Sequence, residues 1–241
     1  MPDLAYWQWL LGAFCALLIG VAKTGVPGVF ALAVPLMVLV VGDARLAAAW
    51  SLPVLCTADI FAVSYWWRKA EARQLFSLLP WVVAGMLIGA AALSLSEHLL
   101  RRMVGVVLLV MLAIHLFRRL KPHLAVSGHA PFYGVTAGFA TTVANAAGPV
   151  MSMYLLSKGL GKEQFVATGA WFFFVVNLTK IPIYWSYGLF SRSSLIYDLC
   201  MVPVVVAGAM MGRWILRHIR QDLFEMLVIG LAALSSLLLF R

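Results

Sequence analysis

The stretch Leu75–Leu95, LFSLLPWVVAGMLIGAAALSL, runs for 21 residues without a charged side chain. About 20 apolar residues are what an α-helix needs to cross the hydrocarbon core of a bilayer. The run is continuous and does not alternate apolar with polar residues, so it predicts a membrane helix and not a strand of a barrel.

The composition of the whole chain agrees with this stretch. Hydrophobic residues make up 63% of the 241 positions and charged residues 11%, with a mean hydropathy of +0.97. A soluble domain carries about a quarter charged residues, so this chain lacks the polar groups to cover a surface in water. The net charge of +9 lies in short clusters between apolar runs. Such clusters are typical of loops that fix membrane topology, which argues against a nucleic-acid-binding protein.

Ten apolar segments follow one another along the chain. We therefore predict an all-α integral membrane protein, a polytopic bundle of about eight to ten helical segments. Three of the segments are too short to cross a bilayer as straight helices: Val26–Val41, Pro131–Val143 and Gly148–Leu156.

The longest polar stretch, Arg118–Ala130, divides the chain into two halves of five segments each. We predict a first membrane repeat over residues 1–120, a polar loop over 121–130 and a second repeat over 131–241. A shift of 119 positions places Tyr65-Trp66 on Tyr184-Trp185 and Arg73 on Arg192. An odd number of segments per half inserts the second half upside down, and inverted repeats are typical of secondary transporters.

The basic residues also indicate the topology. Loops after the odd-numbered segments hold twelve Lys and Arg residues, and the opposite side holds five. Positively charged loops stay in the cytoplasm, so both termini are expected to face outward from a multi-pass protein.

Two motifs interrupt the apolar pattern at corresponding places in the halves. They are GVAKTGVPG at residues 20–28 and TTVANAAGP at residues 141–149. Each joins two apolar segments with almost no polar loop, so we expect a broken or re-entrant helix pair at the start of each repeat. A tight turn at the membrane surface, with glycines for helix packing, is the alternative.

A helix break of this kind suits an anion. Gly25 and Gly28 permit close backbone approach, while Pro27 and Pro149 suit the first turn of a new helix. The N–H groups and positive dipole end of such a helix then point at whatever occupies the gap.

Three ionisable side chains lie away from the loops: Lys23, Asp59 and Lys180. Asp59 and Lys180 occupy near-equivalent places in the two repeats, so they are candidates to pair with each other, to gate the pathway or to couple transport to protons. A static ion pair for Asp59 and Lys180, and a Lys23 that reaches to the nearby surface, are the plainer alternatives. The three charges together are net positive, which favours an anion.

Neither an enzyme nor a resident cofactor is predicted. The five histidines lack metal-ligand spacing, and the chain has no phosphate-binding glycine loop after a strand. No Ser/His/Asp arrangement or zinc-protease motif lies in the apolar segments. We expect no catalytic residues, no metal and no cofactor.

At the two motifs the sequence resembles the TauE/SafE sulfite exporter family. KTGVPG (Lys23–Gly28) with VPL (Val34–Leu36) looks like the first broken helix of that family, and NAAGP (Asn145–Pro149) looks like the second. GAWFF (Gly169–Phe173) also resembles a branch of the family. The usual triple glycine is absent from both motifs, which leaves sulfite, sulfonates, thiosulfate and carboxylates open as substrates. The resemblance implies export of a small anion across the inner (plasma) membrane.

The sequence therefore predicts a secondary transporter, in the exporting direction, of sulfite or an organosulfur anion, working by alternating access. An anion channel with the same positively lined pathway is the alternative. Asp59 and Lys180 are assigned to gating or coupling. The expected partners of the protein are a small anionic substrate, protons to which its transport is coupled, and the lipid bilayer. The predicted substrate-binding residues are Lys23, Thr24, Gly25, Pro27, Gly28, Asn145, Gly148, Pro149 and Asn177.

Overall fold

A computed structural model describes residues 4–92, 97–120, 129–144 and 147–238. Every regular element in these ranges is helical, which confirms the all-α part of the predicted fold class. Ten α-helices follow one another: α1 Tyr6–Thr24, α2 Phe30–Val41, α3 Ala44–Trp66, α4 Ala72–Ala92, α5 Glu97–Leu120, α6 Ala130–Ala144, α7 Ala147–Ser157, α8 Lys162–Ser186, α9 Arg192–His218 and α10 Gln221–Leu238. Short 3₁₀ turns, Pro27–Val29 and Trp67–Lys69, precede α2 and follow α3.

Within the described ranges, five helical stretches are long and apolar enough to cross a bilayer, namely Tyr6–Thr24, Leu46–Lys69, Ala72–Ala92, Lys162–Ser186 and Arg192–His218. The three segments predicted to be short form helices of 12, 15 and 11 residues, α2, α6 and α7. Many large apolar side chains point away from the protein, among them Leu10, Phe76 and Leu199. Lipid tails are the environment that such a surface fits, and the chain is a multi-pass membrane protein.

The junction between α2 and α3 shows how local sequence ends one helix and begins the next. Gly42 has a φ of 84°, the left-handed conformation that glycine tolerates best, and its N–H bonds to Val38 O at 2.7 Å. Asp43 then caps α3, accepting a hydrogen bond from Leu46 N at 2.8 Å. Two residues therefore suffice for the turn.

The helices divide into two compact units. The first unit comprises residues 1–70 and 166–220, and so holds α1, α2, α3, most of α8 and α9. The second comprises residues 71–165 and 221–241, and so holds α4, α5, α6, α7 and α10. Each unit draws helices from both predicted repeats. The repeat boundaries of the sequence analysis stay a prediction, and most of the loop over 121–130 lies outside the described residues.

In the first unit, α1 and α9 run parallel in close contact. Gly12 faces Tyr197, and later residues of α1 meet later residues of α9. A Cβ atom at Gly20 would lie 2.7 Å from Ala209 N, and one at Gly25 would lie 2.6 Å from Gly212 O. Only glycine permits backbones this close, which is how small residues hold membrane helices together.

In the second unit, α4 and α6 pack in the same manner. A Cβ atom at Gly138 would lie 2.7 Å from Met86 N, and one at Gly85 would lie 2.8 Å from Val135 Cα. These helices also run parallel, since Gly89 further along α4 faces Thr142 further along α6. Glycine again sets the distance between the two backbones.

Candidate functional site

Lys23 lies in the last turn of α1, and its side chain is turned into the first unit. Nζ lies 2.7 Å from Asp59 Oδ1, and the lysine side chain is only 8% exposed. The ammonium group also lies 4.4 Å from the centre of the Phe173 ring on α8. A cation over an aromatic face gains about 0.5–2 kcal/mol, more as it loses water. Lys23 is thus held by α3 and α8 and does not reach out to the surface.

Asp59, in the middle of α3, is completely buried. Its second oxygen, Oδ2, accepts a hydrogen bond of 2.6 Å from Asn177 Nδ2 on α8. Both carboxylate oxygens are therefore engaged, one by a cation and one by an amide. This is what a buried charge needs to offset its loss of hydration. We call Lys23, Asp59 and Asn177 the buried polar triad; it joins α1, α3 and α8.

A further cation accompanies the triad. Lys180 follows Asn177 by three residues on α8 and is 8% exposed. Residues three apart lie on the same side of a helix, so Lys180 and Asn177 share a face. With Lys23 and Asp59, this gives two cations and one carboxylate within the membrane-spanning part of the first unit. Such residues are expensive to bury and mark substrate or ion pathways in membrane proteins.

The ion-pair partner of Asp59 in the structure is Lys23, whereas the repeat register had made Lys180 the candidate. Lys23 comes from α1, which belongs to the same half of the chain as Asp59. Three of the predicted site residues, Lys23, Asp59 and Asn177, are brought into direct contact. Their role in binding or gating stays a prediction.

Thr24, also predicted to bind substrate, serves helix packing in this conformation. Its hydroxyl donates to Ala209 O at 2.7 Å and contacts Gly20 O at 3.0 Å, and the residue has no exposed surface. Its carbonyl oxygen accepts a hydrogen bond of 3.3 Å from Trp66 Nε1. A hydroxyl has one proton to donate, and here that proton ties α1 to α9.

The first helix break lies where the sequence predicts it. Helix α1 ends at Thr24, Pro27 is the first residue of the 3₁₀ turn, and α2 begins at Phe30. Within the break the N–H groups of Gly25 and Val26 donate to Val21 O, at 2.8 and 3.3 Å. The N–H of Val29 donates to Val26 O at 3.1 Å. These three donors are therefore satisfied by the chain itself in this conformation. Gly28, the second residue of the turn, is half-buried.

The second helix break separates α6, which ends at Ala144, from α7, which begins at Ala147. Gly148 and Pro149 lie in the first turn of α7 and are half-buried. A Cβ atom at Gly148 would meet no atom within 4 Å, so close packing does not explain this glycine. The N–H groups of a first helical turn lack partners within their own helix. Asn145 lies outside the described residues.

The family model for the sulfite exporter TauE/SafE matches residues 11–239 of the chain. The chain belongs to the TauE/SafE family. The match covers all ten helices apart from the first residues of α1, so the resemblance seen at the two motifs extends across the protein. No curated protein and no solved structure gives a significant match to the chain.

Membership of the TauE/SafE family places the protein in a family of membrane transporters. The described residues contain no group of three or more His, Cys, Asp or Glu side chains that is placed to hold a metal ion. The buried polar triad is thus a feature of a protein from a transporter family.

One buried charge of this TauE/SafE protein escaped the sequence analysis. Asp198 lies in the second turn of α9 and is 5% exposed. Among the described residues, neither of its carboxyl oxygens has a hydrogen-bond partner. The signal was present in the sequence, because LIYDLC (Leu195–Cys200) places a carboxylate inside an apolar segment. Its nearness to the start of that segment made it look like a loop residue.

Proposed function

We propose that this protein is a secondary transporter that exports a small anion, such as sulfite or an organosulfur anion, by alternating access. The observation that carries the proposal is the buried polar triad with Lys180 beside it. Two ammonium groups and one carboxylate leave a net positive charge in a region of low dielectric, where an anion supplies the missing negative charge.

In this proposal Lys23 is the group that the anion engages. Its present partner, Asp59, is a carboxylate, so an incoming oxyanion offers the same kind of acceptor at the same distance. The exchange keeps the lysine paired, while Asp59 retains only its hydrogen bond from Asn177. Asn177 would then keep Asp59 in place while Lys23 turns to the substrate. Thr24 and Gly25 position Lys23 by fixing the end of α1 against α9. Pro27 and Gly28, in the turn that follows, keep their predicted role in substrate binding.

The close helix pairs of the two units support the inverted-repeat part of the proposal. In the first unit Gly208 faces the backbone of Leu17, and Gly212 faces the side chain of Thr24. Two glycines that are four residues apart on α9 therefore meet two residues that are seven apart on α1.

The second unit repeats that spacing on α4 and α6. Gly85 faces the backbone of Val135, and Gly89 faces the side chain of Thr142. Thr142 also bonds back to Gly138 O at 2.9 Å, as Thr24 bonds back to Gly20 O. The correspondence pairs α1 with α6 and α4 with α9, as expected of two related halves of five helices each.

Asn145, Gly148 and Pro149 of the second break keep their predicted role in substrate binding on the strength of their place in the repeat. Lys180 keeps its predicted role in gating or coupling. We place the protein in the cytoplasmic (plasma) membrane with both termini outside, on the strength of the basic loops.

Uptake of radiolabelled sulfite into proteoliposomes of the purified protein tests the proposal. We expect saturable uptake that Lys23→Ala abolishes and that Lys69→Ala, a change to an exposed lysine outside the triad, leaves intact. Competition by sulfonates, thiosulfate and carboxylates then ranks the substrates. If Lys23→Ala still took up every anion tested, the assignment of the site would be wrong.

An anion channel is distinguished by recording across a planar bilayer. A channel gives unitary conductance that does not saturate at substrate concentrations near the transport KM, whereas a transporter gives none. Unitary conductance that Lys23→Ala removes would replace the transporter proposal with the channel.

A further inference from the structure

Asp198 is a second buried carboxylate in the first unit, and its situation is opposite to that of Asp59. Both oxygens of Asp59 are engaged, by Lys23 and Asn177. Asp198 lies on the buried face of α9, between Ser194 and Met201, and is 95% buried. Neither of its oxygens has a hydrogen-bond partner among the described residues.

The helices packed against α9 in the first unit are α1 and α3. The cation of α1 is Lys23, which is bonded to Asp59 of α3. On α9 itself, the Tyr197 hydroxyl lies 3.8 Å from Met37 Sδ. The described side chains therefore give Asp198 no counter-ion. The other titratable or charged groups on α1, α3 and α9 are Tyr6, Cys15, Cys56, Tyr65, Arg192, Cys200, Arg213, Arg217 and His218, together with Arg45, whose side chain lies outside the described residues.

The gap beside the neighbouring residue Tyr197 is closed to water. A gap bounded by Gly12, Cys15, Met37 and Tyr197 has no room for a water molecule. This gap lies beside Tyr197, the residue that precedes Asp198. Water is the partner that a buried polar group ordinarily takes when protein atoms supply none. Packing at this level of the unit leaves none beside Tyr197.

An ionised carboxylate in this position would cost several kcal/mol, since neither a cation nor a hydrogen-bond donor offsets the loss of hydration. Binding of one proton removes the charge. We propose that Asp198 carries a proton in this conformation and is the proton-coupling site of the transporter. This inference rests on the proposed transport function for its coupling part, and on the geometry of Asp198 alone for its protonation.

The proton step is a simple exchange. When the unit opens so that water reaches Asp198, the Oδ–H bond breaks and the proton passes to that water, leaving a hydrated carboxylate. Return to the dry conformation requires a proton to bind again, taken from the side to which the site is then open. Asp59 differs from Asp198 in this conformation, because its charge is matched by Lys23.

Infrared spectroscopy of the purified protein tests the protonation directly. At neutral pH we expect the carbonyl stretch of a protonated carboxylic acid, and we expect Asp198→Asn to lose it. Asp43→Asn is the matched control, because Asp43 is an exposed residue that caps α3. Absence of the band in the unaltered protein, or its persistence in Asp198→Asn, would overturn the inference. Asp198→Glu keeps a carboxylic acid and should move the band without removing it, which guards against a folding defect in the amide variant.

Transport in proteoliposomes tests the coupling. With the radiolabelled anion on both sides, exchange requires no net proton movement, so Asp198→Asn should exchange at close to the rate of the unaltered protein. Uptake driven by a pH gradient should lose its stimulation entirely in the same variant. Stimulation that survives in Asp198→Asn would refute the coupling role. If the unaltered protein transports no anion, the proposed function fails, while the infrared result still decides whether Asp198 holds a proton.

Discussion

Removal of the Lys23 side chain gives the sharpest test of the buried polar triad. In Lys23→Ala, the fully buried Asp59 keeps its hydrogen bond of 2.6 Å from Asn177 but loses the cation at 2.7 Å. Breaking one partner out of a buried ion pair costs about 3–5 kcal/mol, because an uncompensated charge stays behind. For a protein of this size that is a fall in the unfolding midpoint of about 6–20 °C.

The measurement is thermal unfolding in detergent, followed by tryptophan fluorescence and by loss of the monodisperse peak in size-exclusion chromatography. The matched variant is Lys23→Ala combined with Asp59→Asn, which removes the orphaned charge while keeping the shape of the carboxylate. We expect the double variant to recover at least about half of the lost stability, because the penalty of a buried unpaired charge is gone. A double variant that is no more stable than Lys23→Ala would refute the reasoning. So would a Lys23→Ala variant whose stability lies within about 1 kcal/mol of the unaltered protein, because exposed ion pairs contribute that much.

Three further changes probe the packing. Gly208→Ala should lower the unfolding midpoint by several degrees, because its new methyl group meets the backbone of α1. The control Gly230→Ala lies in open space on α10 and should leave the midpoint unchanged or raise it. Equal effects of the two changes would contradict the close packing. Thr24→Val removes the hydroxyl bonded to α9 and should cost about 1 kcal/mol, whereas Thr24→Ser should cost less, and thermal unfolding compares the two. Tyr154→Phe removes a hydrogen bond of 2.9 Å to the side chain of Gln74 in the second unit. We expect a loss of about 1 kcal/mol in stability, with sulfite uptake retained. Loss of uptake without loss of stability would instead assign Tyr154 to the transport pathway.

The helical membrane fold and the helix breaks were open to prediction from sequence. Charge-free apolar runs of about 20 residues fit the hydrocarbon core of a lipid bilayer. In that core such a run forms a helix, because a helix bonds all of its backbone groups internally. Gly42, Pro27 and the short segments mark where helices end, because their effect on the backbone is local. Properties that depend only on neighbouring residues are therefore readable along the chain.

The partners of the buried charges were not open to prediction. Sequence shows that Lys23, Asp59 and Lys180 are too costly to leave unpaired, but it does not show which helices are neighbours. The repeat register suggested Lys180 for Asp59, whereas α1 supplies Lys23. Backbone donors of the first break were expected to face an anion, yet those of Gly25 and Val26 are bonded within α1. Both outcomes depend on three-dimensional packing that no local pattern encodes.

The glycine contacts between α1 and α9 also limit how the first unit can move. A sliding motion of α1 along α9 would drive Cα atoms into carbonyl groups at Gly20 and Gly212, and would break the bond from Thr24 to Ala209. The two helices therefore have to travel as one rigid body through any transport cycle. Helix α8 meets the buried charges through side chains, since Phe173 contacts Lys23 of α1 and Asn177 bonds to Asp59 of α3. Movement within the unit is thus expected on the α8 side of the buried charges, where contacts between side chains can change without moving the paired backbones of α1 and α9.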